Sequence, residues 1–178
     1  MKAIELFKNV RSLFILPFIL INSANAEISV VNFEQTSSVA DHKISGLSLA
    51  QKSGNYCWSS AENTYGVPAK LLVAIAKVET GINPSAVGKK NKDGSYDIGI
   101  MQINSGWLPK LSKYNITEND LFKPCTNIMV GAWILSDNIQ RLGYNWDAVG
   151  AYNAKTNWKR ELYAKKVHKA ILELGYNR

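Results

Sequence analysis

The sequence predicts a mainly α domain of the α+β class, with helices around a small irregular or β insertion. Three observations predict it. Apolar residues recur at helical spacing through most of the chain after Asn55; proline and glycine stand where those helices would start and stop; and one stretch, from Asn83 to about Asn104, breaks the pattern.

The first residues are read apart from the domain. Lys2, Lys8 and Arg11 precede an apolar run from Leu13 to Ile21, which ends at Ala24-Asn25-Ala26. That order, a basic region, a short apolar core and a small-x-small site, is that of a secretory signal peptide over residues 1–26. The run is shorter than the ~20 residues of a membrane span, and no later segment is longer, so no stable span is expected. The expected product is an exported, periplasmic protein starting near Glu27. An uncleaved anchor would keep the same domain on the outer face of the membrane. Residues 27–54 are rich in Ser, Asn and Gln without a sustained period, and read as a flexible leader. Residues 55–178 have the size of one ordinary domain.

Within it, a first helix runs from Cys57 to about Tyr65 and stops at Gly66. The second takes Pro68 in its first turn, carries Leu71 to Glu79, and is stopped by Gly81 and Pro84. In the insertion, Asp93-Gly94 marks a turn, and Tyr96 to Ile103 suits a short strand pair. A long helix, Pro124 to Leu142, puts Ile128, Ala132, Leu135 and Ile139 on one face and ends at Gly143. A short helix at Asp147 to Tyr152 and a last one from about Asn157 to Leu174, before Gly175, complete the set.

The formal charge is +7; loss of residues 1–26 removes three basic residues and one acidic one, leaving 18 against 13, or +5. Such a balance suits loose attraction to anionic envelope polymers. No nucleic-acid motif is present, and Lys89-Lys90-Asn91-Lys92 reads as a solvated turn. Cys57 and Cys125 are the only cysteines. An even count in an exported chain favours a structural disulfide, and two cysteines without a matching His pair make poor zinc ligands. Closing that loop contributes roughly 4 kcal/mol on the chain-entropy model. No metal or organic cofactor is indicated, and a monomer is expected.

One residue breaks the apolar pattern of the second helix. Lys70 and Lys77 nearly eclipse each other, whereas Glu79 lies about 200° from Lys77, in line with Leu72, Ile75 and Ala76. A carboxyl held against apolar side chains has its charged form disfavoured, so its pKa rises and it can serve as a general acid. From the wheel alone a second reading stands beside this one, in which Glu79 belongs to a frayed last turn and reaches solvent.

Three segments extend the argument: Glu79-Thr80-Gly81-Ile82-Asn83-Pro84, Asp97-Ile98-Gly99-Ile100-Met101-Gln102-Ile103-Asn104, and Gly150-Ala151-Tyr152-Asn153-Ala154. Their order, spacing and content resemble the catalytic domain of the lytic transglycosylases, lysozyme-like enzymes that cleave peptidoglycan. The likeness covers Tyr56 to about Lys169. It looks closest to the small exported members that accompany type III secretion, type IV pilus and conjugation machineries.

The resemblance implies a lysozyme-like fold and peptidoglycan glycan strands as substrate, with components of a secretion or pilus apparatus as partners. It makes Glu79 the single catalytic acid. Gly99, Met101 and Gln102 would line the sugar site; Tyr152 and Asn153 would complete it, the tyrosine hydroxyl near the acid. Glycosidic cleavage needs a proton for the departing oxygen and stabilisation of an oxocarbenium-like ring, which the sugar's own acetamido group supplies in substrate-assisted enzymes. The ionised acid then deprotonates the carbon-6 hydroxyl, and internal attack closes a 1,6-anhydro product.

Thr80 and Lys155 depart from the family pattern, which commonly has serine and glycine there; Lys155 could reshape the cleft rim or contact a peptide-stem carboxylate. Standing alone, Gly99 reads equally as a bulge glycine and Met101 as core filler. Of the tryptophans only Trp107 is offered as a subsite residue, and His42 and His168 are given no role. Two other functions are kept open: a lysozyme-type hydrolase using Asp97 as second carboxylate, and a glycan-binding scaffold without turnover.

Overall fold

The computed structural model describes residues 56–175. The expected signal peptide and leader, at 1–26 and 27–54, lie outside the described residues. Among these residues are seven helices and one two-stranded sheet, so the expected class is the observed one.

Helix α1, Trp58–Tyr65, ends on Gly66, whose φ of 69° lets its N–H reach back to the Glu62 carbonyl. Cys57, just before it, is disulfide-bonded to Cys125. Helix α2, Ala69–Thr80, follows Pro68, and Leu71 through Ala76 are all buried. Six consecutive buried residues leave only the ends of this helix to its two lysines and place its middle at the centre of the domain. There α2 packs against α1 and against the two long helices that follow, α5 and α7. Gly81, at φ 62°, donates to Lys77 O, and Ile82 donates back to Ala76 O, which turns the chain sharply after Thr80.

The insertion is stapled at its tip. Strands β1 (Asp97–Ile98) and β2 (Ile103–Asn104) pair antiparallel, with Asp97 opposite Asn104. Between them the chain turns through Gly99 and Gln102, at φ 75° and 50°. Asn127, buried on α5, accepts from Met101 N at 2.8 Å and donates to the carbonyls of Ile98 and Leu121 at 2.8 and 2.7 Å. A side chain at position 99 would meet Asn127 Nδ2 at 2.3 Å, so glycine is required there by space as well as by backbone.

Two one-turn helices were not anticipated: α3 (Leu108–Leu111) and α4 (Glu118–Leu121), with 3₁₀ turns at Ser105–Trp107 and Ser112–Tyr114. Single turns are too short to show a period, and only the Thr117/Asp120 capping box announces α4. Helix α5, Pro124–Leu142, has the expected limits; Ile128, Ala132 and Leu135 are fully buried and Ile139 half-buried. Helix α6, Trp146–Gly150, starts one residue earlier than expected because Asn145 caps it, its side chain accepting from Ala148 N. Helix α7, Asn157–Glu173, lies along both α2 and α6. Each fully buried side chain such as Leu72, Ile75 or Leu135 contributes roughly 1.5–3 kcal/mol by leaving water. No helix among the described residues is long and apolar enough to cross a membrane.

Candidate active site

The last turn of α2 presents Glu79 to a polar cleft of about 520 Å³. One wall is the insertion, with Asn91, Asp93, Ser95, Asp97, Gln102, Asn104 and Trp107; the other is the segment after α6, from Ala151 to Lys155. Two larger grooves, of about 560 and 640 Å³, flank Trp146 and His168 but contain no residue of the three segments. A binding site is marked by convergent polar groups and a perturbed carboxyl, which the smaller cleft has.

Glu79 faces α7. The Tyr163 hydroxyl donates to its Oε1 at 2.5 Å. Burial pushes the Glu79 pKa up to about 7; the Tyr163 bond and the charge of Lys166 pull it down, and Asp97 pushes it further up. A carboxyl balanced at that value is present in both forms at neutral pH. The alternative of a frayed, solvated terminal turn is removed by the Thr80 hydroxyl, which contacts Ile100 O at 3.0 Å and ties the helix end to the insertion. Thr80 also accepts from Asn83 N, so the hydroxyl of this position is in use on both sides.

The other expected residues divide into two sets. Gln102, Tyr152 and Asn153 share the cleft with Glu79. Gln102 Nε2 donates to Gly99 O at 2.9 Å, which holds its side chain along the turn. Tyr152 donates to Met101 O at 2.9 Å. Its hydroxyl is near enough to Glu79 for the charge there, after burial, to raise its pKa well above the ordinary value. Gly99 and Met101 do not line the cleft. Both are buried, and Met101 is wholly enclosed, because the hairpin tip is drawn onto Asn127 and α5; Met101 meets the site only through the carbonyl that receives Tyr152. Trp107 lies on the cleft wall, edge-on to Trp133 with ring centroids 5.5 Å apart.

Sequence reasoning missed Tyr163. It stands on the buried face of α7 with Val167 and Ala170, and reads as core. The signal was its hydroxyl, since a tyrosine on an inward face needs a polar partner. Among the described residues, no three His, Cys, Asp or Glu side chains come together as a metal-ligand cluster.

Residues 56–173 match the family described as the transglycosylase SLT domain, and the chain belongs to that family. Its helices around a cleft, with the small sheet on one wall, are the family's lysozyme-like fold. Among curated proteins it is 47% identical over 118 residues to invasion protein IagB of Salmonella typhimurium, covering 66% of this chain and 73% of that one. Protein IpgF of Shigella flexneri is 38% identical over 124 residues, covering 67% and 81%. A peptidoglycan-binding-like protein of Escherichia coli O157:H7 is 37% identical over 123 residues, covering 63% and 74%.

Proposed function

We propose that this protein is a peptidoglycan lytic transglycosylase, which cleaves the β-1,4 bond between N-acetylmuramic acid and N-acetylglucosamine and leaves a 1,6-anhydromuramoyl end. The observation that carries the reading is the buried carboxyl of Glu79, its pKa pushed up to about 7, held by Tyr163 in a polar cleft. Protonated Glu79 gives its proton to the departing glycosidic oxygen as the bond to carbon 1 breaks. The muramoyl acetamido oxygen takes that place on carbon 1. Ionised Glu79 then removes the proton of the carbon-6 hydroxyl, whose oxygen bonds to carbon 1 and displaces the acetamido group. Glu79 ends protonated, and no water is consumed. A pKa of about 7 suits a group that must both give and take a proton near neutrality.

The setting proposed is the periplasm, where an exported monomer opens the sugar mesh locally as a secretion or pilus apparatus is assembled. Similarity to an invasion protein and to a peptidoglycan-binding-like protein supports this setting.

Asp97 favours a second reading, hydrolysis, because it lines the same cleft and its charge acts on Glu79. Its Oδ1, however, accepts from Asn104 Nδ2 at 2.9 Å, which engages it in the sheet. The deciding experiment is mass spectrometry of the soluble products from purified peptidoglycan with the mature protein and with Glu79→Gln. Anhydromuramoyl ends, absent with the variant, are expected. Reducing ends would replace this reading with hydrolysis by Asp97, and no release by either protein would replace it with a scaffold.

A further inference from the structure

The cleft that holds Glu79 is lined by three carboxyl groups, Glu79, Asp93 and Asp97, and by one cation among the described residues, Lys155. None of the ion pairs among the described residues includes Lys155, and its side chain is exposed at the mouth of the cleft. Its backbone is nevertheless fixed. Ala154 donates to Gly150 O at 3.1 Å, and the Ala154 carbonyl accepts from Arg160 Nε at 3.1 Å. Arg160 is itself anchored to Asp147 at 3.0 Å. At position 150 a side chain would meet Arg160 at 2.5 Å, so glycine there allows α6 and α7 to close on this anchor. Opposite, Asp93 is held by the backbone N–H and hydroxyl of Ser95, at 3.0 and 2.7 Å. The pull of Lys155 reaches it across the cleft.

A cation presented on a fixed backbone with no ion-pair partner of its own is placed for a ligand anion. The sugar backbone of the proposed substrate is neutral and supplies none. Its anions are the carboxylates of the peptide stem, which hangs from carbon 3 of the muramoyl ring, two atoms along the ring from the carbon that Glu79 serves. A stem entering with that sugar must leave over a cleft wall.

We infer that Lys155 is a specificity residue, which binds a stem-peptide carboxylate and so makes the cleft favour glycan that still carries its stems. This rests on the lytic reading of the same cleft. The stem carboxylate meets the ammonium at the cleft mouth and accepts a charge-assisted hydrogen bond from it.

The test compares initial rates on glycan strands with stem carboxylates free and on strands whose stem carboxylates have been converted to neutral amides, at low salt. For wild type the ratio of kcat/KM, free over amidated, is expected to exceed one. Lys155→Ala should lower that ratio about three- to fivefold, the scale of one exposed ionic contact, through KM and not kcat. Lys155→Arg should restore most of it. An unchanged ratio in Lys155→Ala, or an equal loss on both substrates, overturns the inference. Binding of a soluble stem-bearing muropeptide to Glu79→Gln, with and without Lys155→Ala, is read in parallel by calorimetry. Weaker, less salt-sensitive binding in the double variant supports the role of Lys155 even if no turnover is found, an outcome that would sink only the lytic reading. Equal binding by the two variants overturns it.

Discussion

The Tyr163 hydroxyl donates to Glu79 Oε1 at 2.5 Å across 84 residues of sequence, and through this bond α7 governs the carboxyl carried by α2. It occupies one carboxyl oxygen, so a proton delivered into the cleft must leave from Oε2. It also opposes burial, the main cause that raises the Glu79 pKa.

Tyr163→Phe should therefore change the pH dependence of the rate and not merely its size. Without the hydroxyl the charged form of Glu79 loses a donor, and its pKa rises above about 7. The limb of the pH–rate profile that reports Glu79 should move to higher pH, and kcat should fall about tenfold as the carboxyl loses its fixed direction. A fall in kcat with an unmoved profile would mean that Tyr163 only packs.

The same carboxyl makes stability depend on pH, with a definite sign. The folded pKa of about 7 lies above the ordinary 4.5, so the folded state holds this proton more tightly than the unfolded state. The stabilisation is fully present below about 4.5 and is lost as pH rises through about 7. The loss expected is roughly 3 kcal/mol at complete ionisation. Glu79→Gln removes this dependence: its Tm should be near that of wild type at pH 4 and several degrees higher at pH 8. Parallel Tm curves for the two proteins over that range would contradict the assignment of a buried, raised carboxyl.

What the sequence disclosed follows from how each feature announces itself. The long helices were legible because their apolar faces repeat over several turns and Pro124, Gly66 and Gly81 mark their ends. Glu79 was legible because an acid on an apolar face violates a local rule. Tyr163 and Asn127 violate none: one is an aromatic residue on an apolar stripe, the other an amide in a helix that holds others; the Tyr163 partner lies 84 residues away, and those of Asn127 lie 6, 26 and 29 away. Gly99 and Met101 stand beside Gln102 in one motif, yet the turn at positive φ sends Gln102 to the cleft and Met101 into the core. Adjacency in a motif does not fix which side of a turn a residue faces.

Asn127 should prove one of the more costly positions to change outside the cleft. Asn127→Leu keeps the branched shape but leaves Met101 N–H and the carbonyls of Ile98 and Leu121 without their partner. A loss of about 3 kcal/mol is expected, read as a lower urea midpoint with unchanged slope. Gly99→Ala should cost a similar amount, because its added carbon strikes the same amide. As both changes break one staple, the double variant should lose much less than the sum. Strict additivity would show that the two act separately.

The disulfide should govern stability and leave chemistry nearly untouched. Cys57 and Cys125 are 68 residues apart and join the start of α1 to the first turn of α5, at a Cα separation of 5.1 Å. Helix α1 has only eight residues and no side-chain cap at its N-terminus, so packing and this cross-link must hold it. It contributes no residue to the cleft, whose lining comes from the last turn of α2 onward. Replacing both cysteines by serine is therefore expected to remove roughly 4 kcal/mol of unfolding free energy. At 25 °C, on the fraction that remains folded, kcat should stay within about twofold of wild type, since neither cysteine lines the cleft. Matched urea titrations and rate measurements on the two proteins test both halves, and a large loss of kcat in a fully folded variant would mean that α1 positions the cleft after all.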